Sequence, residues 1–115
     1  MAGKYDTVID QGANWKLTIT WRDSADALVN LTGYSARAEV RSASDSSLLL
    51  AASTVAGTIT LGGAAGTIAI NVPAATTGAL TAQTAKWDLE LTSGSGEITR
   101  LLKGLAVIDP QVTTG

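Results

Sequence analysis

Apolar and polar residues alternate with a period of two along most of this chain, the spacing of half-buried β-strands. In "NWKLTITWRD", Trp15, Leu17, Ile19 and Trp21 share one parity, while Lys16, Thr18, Thr20 and Arg22 share the other. "SARAEVRSA" repeats the pattern, with Ala36, Ala38 and Val40 inward and Arg37, Glu39 and Arg41 outward. Its small alanines predict a place of close packing, against one of the tryptophans. "SLLLAAS" is too short for a stable helix and reads as a strand. "GTITL" and "TIAINV" follow, with Ile59, Leu61, Ile68, Ile70 and Val72 inward. Pro73 then ends the ladder because it has no N–H to donate. "AATTGALTA" predicts one short turn of helix carrying Leu80 inward. "KWDLELT" is the next strand, with Trp87, Leu89 and Leu91 inward, and "SGSG" turns the chain.

The final segment, "EITRLLKGLAVID", breaks phase. Ile98 has one parity and Leu105 and Val107 have the other, so the spacing predicts a bulge near Leu101–Leu102–Gly104, with Gly104 fitting that role. Asp109–Pro110 ends the strand, and "QVTTG" is a tail.

Seven or eight short strands, turn signals between them and at most one short helix predict an all-β fold, a single antiparallel β-sandwich of immunoglobulin-like or jelly-roll-like type. One domain over residues 1–115 accounts for the whole chain. At 115 residues a domain buries roughly two-thirds of its unfolded surface and needs no disulfide or metal to fold.

Composition narrows the function classes. The eight Lys and Arg are scattered from Lys4 to Lys103 among ten carboxylates, giving a net charge of −2. No basic patch is visible in the sequence, so nucleic acid is not an expected partner. Cysteine and histidine are absent, which removes the thiolate zinc site and the usual general base at neutral pH. No secretory signal follows Met1, and the longest apolar run, "LLLAA", is far too short to span a bilayer. The expectation is synthesis in a host cytoplasm without membrane association.

The stretch "TITLGGAAGTIAI" tests the case for chemistry. Its "GGAAG" core resembles a phosphate cradle, but a P-loop needs Lys and Ser/Thr after the last glycine, leading into a helix. Here Gly66 leads into Thr67 and Ile68 and then a strand, so the glycines read as a hairpin connection. Asp88 and Glu90 lie two apart on one strand face and form the one carboxylate pair with catalytic spacing. Alternating charge on a strand is more commonly a solvated face, and Lys86 shares it. Asp23 and Asp26 lack the third ligand of a calcium loop, and "NLT" at Asn30 reads as a turn. No catalytic, cofactor-binding or metal-ligating residue is predicted.

Several segments together resemble a family of small virion proteins of tailed phages, similar to the N-terminal domain of the baseplate upper protein. Gln11, Gly12, Ala13, Trp15, Trp21 and Asp23 carry the likeness, followed by "LTGYSAR", Arg41, "LGGAAGTI", "WDLELTSGSGEITRLLKG", Val107, Pro110, Val112 and Thr113. The resemblance implies a β-sandwich that docks to other virion proteins in multiple copies, with no active site. The upper-baseplate proteins continue into a fibre or receptor-binding region and this chain does not, which favours an adaptor or decoration role.

The resulting expectation is a non-enzymatic structural component of a virion, at the tail or baseplate or as a fibre adaptor, with capsid decoration as the alternative. A glycan-binding module using an exposed Trp and a small polysaccharide-degrading enzyme are the rivals. The expected partners are other tail, fibre or capsid proteins. The residues expected to dock them are Gln11, Trp15, Trp21, Tyr34, Arg37, Arg41, Pro110 and Val112. The "VIDQG" and "IDPQVTTG" ends are expected to offer strands to a neighbour's sheet.

Overall fold

The computed structural model describes residues 3–110. In chain order the elements are β1 (Gly3–Lys4), β2 (Thr7–Asp10), β3 (Trp15–Thr20), β4 (Ser35–Ser42), β5 (Leu48–Ser53), β6 (Ile59–Leu61), a 3-10 turn (Gly63–Ala65), β7 (Thr67–Val72), α1 (Ala74–Thr77), β8 (Gln83–Thr92) and β9 (Ile98–Asp109). The fold is an all-β sandwich. A six-stranded sheet runs β1-β9-β8-β4-β5, with β2 also on β9, and a three-stranded sheet runs β3-β7-β6.

The predicted alternation decides which side chains meet between the layers. The larger sheet contributes Ala38, Val40, Trp87, Leu89 and Ile108, all buried, and the smaller one Trp15, Ile59, Ile68, Ile70 and Val72. Each fully buried aliphatic of this size stabilises the fold by about 1.5–3 kcal/mol relative to exposure. The "GGAAG" loop is the hairpin connection between antiparallel β6 and β7, with Gly63 and Gly66 at φ +60° and +67°. Gly66 also lacks room for a side chain, because a Cβ there would lie 2.9 Å from the Trp21 carbonyl oxygen. The short helix forms as expected, Leu80 is buried, and buried Thr77 pins the helix by donating to the Ala13 carbonyl at 2.6 Å.

Three features differ from the sequence reading. First, the sheet is mixed: β1 and β2 run parallel to β9, with Gly3–Lys4 beside Leu102–Lys103 and Thr7–Asp10 beside Ala106–Asp109. The "VID" segment, expected to pair with a neighbour, already pairs within its own sheet. Second, the phase break in β9 is a bulge at Leu101, since Glu90 faces Arg100 while Leu89 faces Leu102. It does bring Ile98, Leu105 and Val107 onto one face, but that face is the outer one. Ala106 and Ile108 fill the core instead.

Third, Gly104 is not the bulge. It clears the way for the N-terminal segment: a Cβ at Gly104 would sit 2.3 Å from the Tyr5 carbonyl oxygen. Gly104 is also the register partner of Trp87. It gives Trp87 a small in-sheet neighbour, while Ala36 and Ala38 stand opposite Leu91 and Leu89 and share the core cluster with Trp15 and Trp87.

That clearance lets an aromatic cluster tie the N-terminal strands down. The Trp87 indole N–H donates to the Tyr5 carbonyl at 2.8 Å. Trp15 and Tyr5 each meet Trp87 edge to face, with centroids 5.8 Å and 6.3 Å apart. The Trp15 indole donates to Thr7 Oγ1 at 3.1 Å. Asp6 Oδ1 accepts from the Leu105 N–H at 3.0 Å. Each polar end of a buried ring is thereby satisfied, as burial in a low-dielectric interior demands.

Candidate functional site: the outer face of the larger sheet

Strand pairing gathers side chains that are far apart in sequence. On β4, β8 and β9 many of the outward positions are charged, and β1 adds Lys4. Lys4, Arg41, Lys86, Arg100 and Lys103, five of the eight cations, line one open groove of about 560 Å³ together with Glu39 and Asp88. The groove therefore carries +3 formally (five cations less two carboxylates). The remaining three cations and eight carboxylates give −5, which recovers the chain's −2. A net-acidic protein thus presents a cationic groove on one sheet face.

The registers show which charges stand side by side. Arg100, Glu90 and Arg37 form one row across β9, β8 and β4, alternating in sign. The next row, Lys4, Lys103, Asp88 and Glu39, places like beside like at both ends. Lys86 and Arg41 are also direct partners. Like charges directly opposite on a sheet are destabilising, so these rows cost stability in the isolated chain.

Some of the charges are neutralised locally. Arg100 reaches Asp88 at 3.3 Å and Glu90 at 3.9 Å. Arg41 holds Glu39 at 2.9 Å, and Arg37 reaches the same carboxylate from the other side. Partial burial works to raise the Glu39 carboxyl, but the Arg41 hydrogen bond and the Arg37 and Arg41 charges outweigh it, so Glu39 lies below the ordinary carboxylate range. Lys86 donates to Ser46 Oγ at 2.7 Å. Among the described residues, no carboxylate lies within ion-pair distance of Lys4, Lys86 or Lys103.

Beside the cations, this face exposes aliphatic side chains. Leu105 lines the groove, and Val8 and Val107 are register partners next to it. Their exposures of 45%, 56% and 37% are high for large aliphatics.

The residues expected to dock partners fall in three places. Arg37 and Arg41 lie on this outer face, flanking Glu39. Trp21 and Tyr34 are half-buried at one end of the sandwich and stack edge to face at 6.2 Å. Trp21 is therefore the tryptophan that reaches a rim, while Trp15 is buried in the core. At the other end, the Gln11 side chain donates to the Leu80 carbonyl, and exposed Pro110 follows β9. Val112 lies outside the described residues. Lys4, Lys86, Lys103, Leu105, Val8 and Val107 were missed. The alternation placed several of them outward, but nothing local says which outward residues share a row.

Asp88 and Glu90, the carboxylate pair weighed for catalysis, share Arg100 as a counter-ion. Among the described residues, no group of three or more His, Cys, Asp or Glu side chains is arranged to hold a metal ion.

No family model matches the chain, and no curated protein matches it. Among solved structures, it is similar to the crystal structure of CopC from Methylosinus trichosporium OB3b. The TM-score is 0.48 at 16% sequence identity, covering 100% of this chain and 91% of that chain.

Proposed function

We propose that this chain is a non-enzymatic structural component of a tailed-phage virion, acting by protein–protein docking at the tail or baseplate or as a fibre-attachment adaptor. The observation that carries the reading is the outer face of the larger sheet. Like-charged neighbours and exposed aliphatics together make a surface that costs free energy when bare and regains it against a complementary partner. The likeness of "QGANWKLTITWRD", "LTGYSAR" and "WDLELTSGSGEITRLLKG" to small virion proteins supplies the setting. Repetition of the chain in a particle would multiply modest contacts through avidity.

Rigid docking suits this scaffold. The charged side chains project from paired strands of a sheet and not from loops, so little order has to be gained on binding. The row of Arg37, Glu90 and Arg100, alternating in sign, gives the face geometric definition. The unpaired lysines supply attraction to an acidic surface and govern how fast a partner is captured.

Immunogold labelling of intact particles tests the reading. Gold along the tail or its tip is the expected result. Gold over the head would move the protein to capsid decoration, and particles without label would overturn the virion reading altogether. The enzymatic rival is tested separately by assaying Asp88→Ala/Glu90→Ala beside the unaltered protein on host polysaccharide. Degradation by the unaltered protein that the double variant loses would replace this proposal.

A further inference from the structure

Along β9 and the strands beside it, the outer face carries an ordered stripe. Lys4 and Lys103 are register partners at one end. Leu105 follows, then the partners Val8 and Val107, and the partners Asp10 and Asp109 close the other end. All seven side chains are exposed. The stripe thus reads cation pair, aliphatic centre, carboxylate pair, with one further exposed carboxylate, Asp6, beside Leu105, from whose N–H it accepts at 3.0 Å. From Lys4 to Asp10 it spans roughly 20 Å at the usual strand rise of about 3.3 Å per residue.

We infer that this stripe is self-complementary and that it joins two copies of the chain face to face in a two-fold dimer. The midpoint of the stripe falls at Thr7 and Ala106, which are register partners with side chains in the core. A two-fold axis lying across the strands there reverses the stripe. It sets Lys4 against the second copy's Asp10, Lys103 against Asp109, Leu105 against Val107, and Val8 against Asp6, whose carboxylate already accepts from the Leu105 N–H. Every contact then occurs twice, as an isologous interface requires.

Charge complementarity argues for a second copy as the occupant. Within one molecule the two ends lie about two and a half Debye lengths apart at physiological ionic strength, where that length is about 8 Å. They barely neutralise each other. Each end is instead a like-charged pair held side by side, which is unfavourable alone. Among the described residues no cation lies within ion-pair distance of Asp10 or Asp109, and no carboxylate within that distance of Lys4 or Lys103. Asp88, the other neighbour of Lys103, is engaged by Arg100. The reversed stripe of a second copy supplies all four missing counter-charges and covers the aliphatic centre in one step. The inference stands on this geometry and does not depend on where the protein resides.

Sedimentation and native mass measurements on the full chain test it, using two charge reversals. Lys4→Glu/Lys103→Glu makes the stripe acidic at both ends, and Asp10→Lys/Asp109→Lys makes it basic at both ends. Each replaces a like pair by a like pair, so circular dichroism should stay native. The unaltered chain should dimerise more weakly as salt is raised. Each double variant alone should lose dimer affinity on the order of 100-fold or more. Mixed in equal amounts, the two should form a heterodimer, and the quadruple variant, whose stripe is simply inverted, should dimerise again. An unaltered chain that stays monomeric at all accessible concentrations would overturn the inference. So would a dimer indifferent to both reversals, or a mixture in which no heterodimer forms.

Discussion

The two faces of the larger sheet are made by the same strands and obey opposite rules. On the inner face, large and small residues are matched across strands, Leu89 beside Ala38 and Trp87 beside Gly104. The polar atoms that reach this face find partners, as the Trp15 and Trp87 indoles do. On the outer face, Lys4 stands beside Lys103 and Lys86 beside Arg41, and aliphatics lie open to water. One parity of each strand is tuned for the fold, while the other departs from what stability alone would choose. Residues that violate a local rule without visible compensation are expected at functional surfaces.

The sharpest way to break the contrast is to attack the inner face at its tightest point. Trp87→Ala removes the hub of the aromatic cluster and the donor to the Tyr5 carbonyl, and should cost about 3–5 kcal/mol. Urea unfolding followed by circular dichroism measures it, and a loss below 1 kcal/mol would mean that the cluster does not hold the N-terminal strands. Gly104→Val should be comparably severe for a different reason, since β1 and the Tyr5–Asp6 segment must move away from β9. Hydrogen exchange should then rise at Thr7–Asp10 more than in β4.

A smaller effect tests the polar anchoring of the same face. Trp15→Phe keeps most of the buried ring but leaves Thr7 Oγ1 without its indole donor. It should destabilise by about 1–2 kcal/mol, read from the shift in urea midpoint at unchanged slope.

On the outer face the sign should change. Lys86→Glu turns the like-charged pair with Arg41 into an opposite one and should stabilise the isolated chain by roughly 0.2–1 kcal/mol. The same substitution should weaken incorporation into particles. A variant that is less stable than the parent would show that the row is not under electrostatic strain.

The smallest expected effect is a pH dependence. Partial burial works to raise the Glu39 carboxyl, but Arg41 and Arg37 together hold it below its ordinary range. A depressed carboxylate contributes stability that is present above its unfolded pKa of about 4.3 and is lost as the pH falls through the folded value. Glu39→Gln should therefore lower stability modestly at neutral pH, flatten the acid limb of the stability curve, and leave stability nearly unchanged at pH values below the folded pKa of Glu39.

Much of the inner face was legible from spacing, because strand periodicity is a local property. Trp15, Val40, Ile68, Ile70, Trp87 and Leu89 all stand where their parity put them. The glycines of "GGAAG" carried enough turn chemistry to reveal the β6–β7 hairpin. The N-terminal strands were not legible. Thr7–Asp10 has only four residues, and a parallel partner about a hundred residues away leaves no turn signal between the two. The burial of Ala106 and Ile108 in place of Leu105 and Val107 followed from which face β9 turns to the smaller sheet, and hydrophobicity alone pointed the other way. The cationic groove was invisible for the same reason. Lys4, Lys86 and Lys103 become neighbours only through the registers of three strands, so a list of scattered charges gave no hint of a patch.

Lysine labelling compares the faces most directly, since the chain has four lysines and three of them, Lys4, Lys86 and Lys103, line the groove, while Lys16 lies on the smaller sheet. Acetylation rates would be measured by mass spectrometry on intact particles and on the free protein, the latter diluted until it is monomeric. Strong protection of Lys4, Lys86 and Lys103 with Lys16 still reactive is the predicted result. Protection of Lys16 while the three groove lysines react as they do in free protein would contradict the assignment of docking to this face.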